Sequence, residues 1–246
     1  MKKLFFIISS ITIIFLTSCS KNEGYSLDKY WINLATVGEV QQSDAYYLQL
    51  DNGTVLRTTA NDATWFEPST GERVIANYTI LSEKQNGAYN YDVRLNDISS
   101  VLTKDIIDLT ADNQDSIGND PLRVTNIWIG GNYLNVVFNF FGNNKTHLIN
   151  LVHNTTATPP VDGTFHLELR QNAYGDAQTS FYQGIASFRL NYLSTINTVI
   201  NSITVSILDY NGNIKTYKLP YTPSASNHAA MEVKGLTLNE FNAYFH

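Results

Sequence analysis

Apolar and polar positions alternate with a period of two along most of this 246-residue chain. Tyr91-Asp92-Val93-Arg94-Leu95-Asn96 alternates without a break, and so does Phe165-His166-Leu167-Glu168-Leu169-Arg170. Val74, Ala76, Tyr78 and Ile80 mark a third such face, and Leu134, Val136, Phe138 and Phe140 a fourth. Successive strand residues point to opposite sides of a sheet, so this pattern predicts strands with one buried face. Turn chemistry punctuates it at Asp51-Asn52-Gly53, Gly130-Gly131-Asn132, Gly142-Asn143-Asn144 and Asn211-Gly212-Asn213. These four predict hairpins, because Asn, Asp and Gly tolerate the positive φ that tight hairpin turns demand. No amphipathic helix longer than about ten residues is predicted, and "LTLNEFNAYFH" at the C-terminus reads as a short helix or a last strand. The fold class is all-β.

The strands group into two sets. Residues 27–107 hold five, near 31–37, 45–50, 54–59, 73–82 and 89–96, with 98–104 as an extension. A small five-stranded OB-like barrel closes such a set economically, since closure removes exposed sheet edges. Residues 122–246 offer seven or eight more strands, which suits a β-sandwich. Between them "TADNQDSIGNDP" has no periodicity and ends in a proline. Residues 108–121 are therefore expected to be an exposed linker, cleavable by proteases, between separable domains.

The first residues follow a different pattern. Lys2 and Lys3 precede an apolar run from Leu4 to Leu16, too short for the roughly 20 residues of a membrane span. This is the layout of a secretory signal peptide over residues 1–18. The run ends in Leu16-Thr17-Ser18-Cys19, which resembles the lipobox of bacterial lipoproteins, and polar "SKNEG" follows. The resemblance implies that Cys19, the sole cysteine, is acylated and that residues 19–26 form a lipidated tether. A lipidated Cys19 is neither a nucleophile nor a metal ligand, and no disulfide is expected. The protein is thus expected in the bacterial envelope, anchored at the outer membrane, with the side it faces left open. The formal charge of −6, with no basic cluster beyond the leader, disfavours nucleic acid as a partner. The abundance of Tyr, Thr and Asn fits an extracytoplasmic β protein.

Several segments carry a family resemblance. They are "YSLDKYWINLATV", "YYLQLDNGTVLRTT", "RVIANYTILSE" and "LTKDIIDLT", then "LRVTNIWIGGNYLNVVFNFF" and "KTHLINLVHN" after the polar stretch. Together they resemble the NigD-like lipoproteins of Bacteroidetes. The resemblance implies an N-terminal OB-type domain and a C-terminal β-sandwich over the whole mature chain. It brings no catalytic or binding residues with it.

Chemistry is sparse. Neither a nucleophile elbow, a zinc-protease helix nor a phosphate-binding glycine loop occurs, so no catalytic residue is assigned and no cofactor is implied. His147 and His153 fall about 20 Å apart on one strand, too far for a shared metal, and both read as surface or edge residues. The oxygen-rich "DNQDSIGND" departs from Ca²⁺-loop spacing, so no metal site is expected. Aromatic residues are the most suggestive feature. Trp65 and Phe66 lie in a loop, "NDATWFEPSTG", and with Tyr46 and Tyr47 they offer a stacking surface for a glycan or a protein partner. The alternative is that Trp65 plugs the end of the barrel. The function expected is non-catalytic: binding of a glycan, envelope component or protein. A bacteriocin-associated immunity or export-accessory role, and a hydrolase with an unrecognised site, are the other readings. Finally, Asp115-Ser116-Ile117 resembles the acceptor triplet for O-linked glycans in Bacteroidetes. Added mass on the peptide covering Ser116, in protein from the native host, would show it.

Overall fold

The computed structural model describes residues 26–40, 45–84, 87–156 and 162–222. Cys19, the leader and the C-terminal stretch lie outside them.

Five strands build the first domain: β1 (Trp31–Val40), β2 (Tyr46–Leu50), β3 (Val55–Asn61), β4 (Arg73–Glu83) and β5 (Tyr91–Ser100). They close into a barrel in the order β1-β2-β3-β5-β4, with β3 and β5 parallel and the other pairs antiparallel. Irregularities at Thr58/Ala60, Asn77/Tyr78 and Ile80/Ser82 break the register. Such extra residues bend strands and increase twist, which lets a short sheet curl onto itself. Inside lie Val37, Leu48, Leu56, Val74, Tyr78, Val93, Leu95 and Ile98.

The chain enters the second domain earlier than the sequence suggests. After buried Val101, β6 (Leu102–Asp105) pairs with one sheet of a sandwich and β7 (Ile107–Leu109) with the other. Between the two strands, Ile106 drops into the sandwich core. The barrel therefore ends near residue 101 rather than 107. Residues 110–121 keep mostly exposed side chains, as expected of a linker, but they are also tied to the sandwich. A single helical turn, α1 (Gln114–Ile117), buries Ile117 against Leu109 and Val152. Gly118 follows at φ +73°, where a Cβ would come within 2.7 Å of the Asn172 side chain. Asp120 then bridges to Gln171 in the sheet, and the Leu122 N–H donates to the Leu208 carbonyl at 3.0 Å.

Seven more strands complete the sandwich: β8 (Arg123–Gly130), β9 (Tyr133–Gly142), β10 (Leu148–Asn154), β11 (Thr164–Asn172), β12 (Ser180–Arg189), β13 (Ser202–Leu208) and β14 (Ile214–Pro220). One sheet runs β14-β13-β11-β10-β7, the other β6-β12-β9-β8. Phe138, Phe140, Phe165 and Phe188 fill the space between them with Leu134, Leu151, Leu167 and Val205. Three of the four expected hairpin turns occur. Gly142-Asn143-Asn144 instead carries the chain from one sheet to the other, since β9 and β10 do not pair.

Barrel and sandwich meet over a packed junction. Leu34 and Ile75 point out of the barrel and pack on Trp128, Val137 and Ile185 of the β8-β9-β12 sheet, with Val101 at the crossing point. Beside them the Arg73 side chain, 1% exposed, forks onto Asp51: Nη1 to Oδ1 at 2.6 Å and Nη2 to Oδ2 at 2.7 Å. Nη2 also donates to Asn135 Oδ1 at 3.1 Å, and Asn135 Nδ2 donates to Asp51 Oδ2 at 3.2 Å. Ser187 Oγ donates to the same Asn135 oxygen at 2.7 Å. The guanidinium lies 4.4 Å from the Tyr133 ring. Arg73 and Asp51 belong to the barrel; Asn135, Ser187 and Tyr133 belong to the sandwich. Gly130 admits this approach, because a Cβ there would sit 2.2 Å from Asp51 Oδ2.

Candidate functional site

The four aromatic residues expected to form one surface do not do so. Tyr46 and Tyr47 are neighbours on β2, so they face opposite ways. Tyr46 is buried in the barrel core, where burial, aided by Glu72, pushes its phenol up to about 12. Tyr47 faces outward. In the β3–β4 loop Phe66 packs against the barrel core while Trp65 stays 65% exposed. Phe66, not Trp65, closes that side of the barrel.

Tyr47 has partners the sequence analysis did not name. Its cross-strand neighbour on β3 is Arg57, and its ring lies 6.1 Å from that of Tyr89, in the approach to β5. The Arg57 guanidinium sits 4.4 Å from the Tyr89 ring centre. Asp92, next along β5, holds it there: Arg57 Nε donates to Asp92 Oδ1 at 2.7 Å, and Ser82 Oγ donates to Oδ2 at 3.0 Å. Asp92 raises the Arg57 pKa further, so the group stays a cation. The result is an outward-facing patch of two tyrosines and a stacked arginine whose orientation is fixed from behind. Trp65 stands apart from it. Asn61, where β3 ends, is four residues beyond Arg57, roughly 13 Å along the strand.

The histidines occupy structured positions. His147, expected near the surface, is buried ahead of β10, with Nε2 3.2 Å from Asp176 Oδ2 and Nδ1 2.8 Å from Gln171 Nε2. Burial works against the Asp176 charge. The backbone N–H groups of Asn143, Lys145 and Asn144, together with His147, outweigh it and hold the carboxyl well below its ordinary 3.8. Asp176 thus ties down the Gly142-Asn144 corner. A depressed folded-state pKa contributes stability that is present above the unfolded value and lost as pH falls through the folded one. Stability is therefore expected to fall as the medium is acidified below about pH 4. Asp176→Asn should be less stable at neutral pH and less sensitive to that acidification in urea melts. His153 Nδ1 meets Asp108 Oδ1 at 3.1 Å and the Tyr192 hydroxyl at 3.0 Å. Among the described residues no group of three or more His, Cys, Asp or Glu is placed to hold a metal ion. No helix among them is long and apolar enough to cross a membrane. Ser116 is exposed on α1, and its hydroxyl donates to the Asn113 carbonyl at 2.9 Å.

Comparison with known proteins agrees with this architecture. Residues 34–101 match the NigD-like N-terminal OB domain and residues 105–221 the NigD-like C-terminal β-sandwich domain. These bounds place the junction where the strand pairing does. A protein of unknown function from Bacteroides vulgatus is 34% identical, covering 87% of this chain and all of that one, with a TM-score of 0.74. A putative toxin-related protein from Parabacteroides distasonis is 30% identical, covering 80% of this chain and 96% of that one, with a TM-score of 0.66. A NigD-like immunity protein from Bacteroides caccae shares the fold at 22% identity and a TM-score of 0.57, with 81% of this chain and 99% of that one covered. No functionally curated protein matches the chain. Both halves, their order and their relatives agree: this chain belongs to the NigD-like family, an OB domain followed by a β-sandwich.

Proposed function

We propose that the protein is a lipid-anchored component of the bacterial envelope that acts without catalysis, by binding a protein partner through the outer face of its barrel. The observation that carries this reading is the Arg57–Tyr89–Tyr47 patch. Arginine and tyrosine are the residue types that dominate binding energy at protein interfaces. Here the arginine is held in place by Asp92, so little side-chain freedom is lost on binding. Exposed Trp65 supplies a second anchor beyond the end of β3. An immunity or export-accessory role is a special case of the same reading, and the name of the toxin-related relative is compatible with it. A hydrolase reading finds less support at His147, both of whose ring nitrogens are engaged within the protein.

Anchoring rests on Cys19 and its lipobox. A single acyl chain binds membranes only reversibly, whereas two or more anchor stably. Cys19→Ser is expected to move the protein from the membrane pellet to the soluble fraction. Pelleting that persists in high salt would contradict the anchor.

The binding face is tested by quantitative co-purification from gently solubilised native-host membranes. Wild type is expected to carry a reproducible partner that Tyr47→Ala and Arg57→Ala each deplete about tenfold or more, while Lys218→Ala on β14 does not. Equal recovery with all three variants would refute the assignment.

A further inference from the structure

The residues that lead into β1 form an exposed edge at one end of the barrel. Ser26 shapes a turn there: its carbonyl accepts from the Lys29 N–H at 3.1 Å and its Oγ from the Asp28 N–H at 3.3 Å. The turn leaves Leu27 61% and Tyr30 60% exposed. Behind them Lys29 Nζ lies 4.9 Å from the Trp31 ring centre, and that ring stacks on Tyr78 and packs against the barrel core. Asp28 and Lys29 carry opposite charges, so the edge presents a leucine and a tyrosine without net charge.

What precedes this edge limits what can cover it. Leu27 is eight residues from Cys19, and eight residues span at most about 29 Å even when fully extended. On the reading that Cys19 carries lipid, which this inference takes from the proposed function, the edge stays within that distance of the bilayer. A leucine and a tyrosine alone would not hold a protein of this size on a membrane. With the anchor in place their contact becomes intramolecular, and a weak affinity is enough. Tyrosine suits this level of a bilayer, where its amphipathic ring meets the headgroups. An edge with no net charge needs no anionic lipid.

Strand register then sets the orientation. A Cβ on Gly38 would lie 3.2 Å from Tyr47 Cβ, so Tyr47 adjoins Gly38. Gly38 is seven residues along β1 from Trp31, roughly 23 Å. The Tyr47–Tyr89–Arg57 face and the exposed edge therefore belong to opposite ends of β1.

We propose that the start of the barrel is a membrane-seating edge. Leu27 and Tyr30 enter the boundary between headgroups and acyl chains beside the lipid of Cys19, and the Tyr47–Arg57 face is held on the side away from the bilayer.

Quenching of tryptophan fluorescence by brominated lipid tests this. The mature chain, purified without acyl chains, is coupled through the Cys19 thiol to maleimide-phosphatidylethanolamine in phosphatidylcholine vesicles, with or without bromine on the acyl chains. Coupling supplies the tether chemically, so the outcome does not depend on whether cells acylate Cys19; the Cys19→Ser fractionation judges that separately. Bromine should quench Trp31, while Trp128, 8% exposed at the junction, supplies an unquenched background. The quenching should persist in Trp65→Phe and vanish in Trp31→Phe. It should fall about twofold or more in the double variant Leu27→Ser, Tyr30→Ser, which removes the apolar contact. No quenching, quenching lost in Trp65→Phe instead, or quenching unchanged in the double variant would each overturn the proposal.

Discussion

Replacing Arg73 with alanine is expected to destabilise the protein by about 3–5 kcal/mol, the largest effect of any single change considered. The cause lies less in the lost attraction than in what is left behind. Asp51 would remain buried with its bidentate partner gone, still facing Asn135 Nδ2 but without a compensating charge. Folded proteins are stable by only about 5–15 kcal/mol, so this removes a large share of the total. Urea unfolding should show the midpoint falling sharply. Arg73→Lys should not rescue it, because an ammonium cannot reproduce the fork that meets Asp51, Asn135 and Ser187 together. A double replacement, Arg73→Met with Asp51→Leu, should recover much of the loss, since removing both charges removes the desolvation problem. A midpoint for Arg73→Ala within experimental error of wild type would contradict the description of the junction.

Separating the halves should have an effect of similar size. The barrel cut out at residues 26–101 would expose Leu34 and Ile75, which are 3% and 0% exposed in the intact chain. It would also open the Arg73–Asp51 pair to water. Each fully buried aliphatic side chain is worth roughly 1.5–3 kcal/mol, and losing that cover from both faces leaves two adhesive surfaces. The isolated barrel is expected to be aggregation-prone or unfolded. The intact protein should melt in one transition, seen equally by probes in either domain, and residues 110–121 should resist proteolysis. Two well-resolved transitions, or clean cleavage at 110–121 into stable fragments, would restore the picture of separable domains.

The differences between sequence and structure have physical causes. Strands were legible because one face of each is buried, and burial writes itself as alternation. β6 and β7 were not, since "VLTKDIIDL" has no clean alternation: the apolar pairs Val101-Leu102 and Ile106-Ile107 are separated by Thr103-Lys104-Asp105. Only pairing with β12 and β10, some 80 and 45 residues away in the chain, assigns them to the sandwich. The polar stretch after them reads as solvated by composition; Ile117 and Gly118 do the packing, and two residues in twelve leave no period. The opposed directions of Tyr46 and Tyr47 were legible in principle, for Tyr46 shares its parity with Leu48 and Leu50. Whether Trp65 or Phe66 turns inward was not, because a loop has no period to consult. Asp51 shows a deeper limit. Asp-Asn-Gly announced a hairpin and a hairpin is there, yet nothing local says that the aspartate also receives Arg73 from 22 residues on. Tyr89, Arg57 and Asp92 were likewise individually unremarkable. Cross-strand register alone makes them a site.

Whether the barrel face is a binding surface is decided most directly by site-specific photo-crosslinking in living native-host cells. A benzophenone amino acid placed at Tyr47 should capture one discrete protein. The same probe at Thr216, on the exposed edge strand β14, should not, and Arg57→Ala should suppress the product. No adduct at Tyr47, or the same adducts from both positions, would contradict the account.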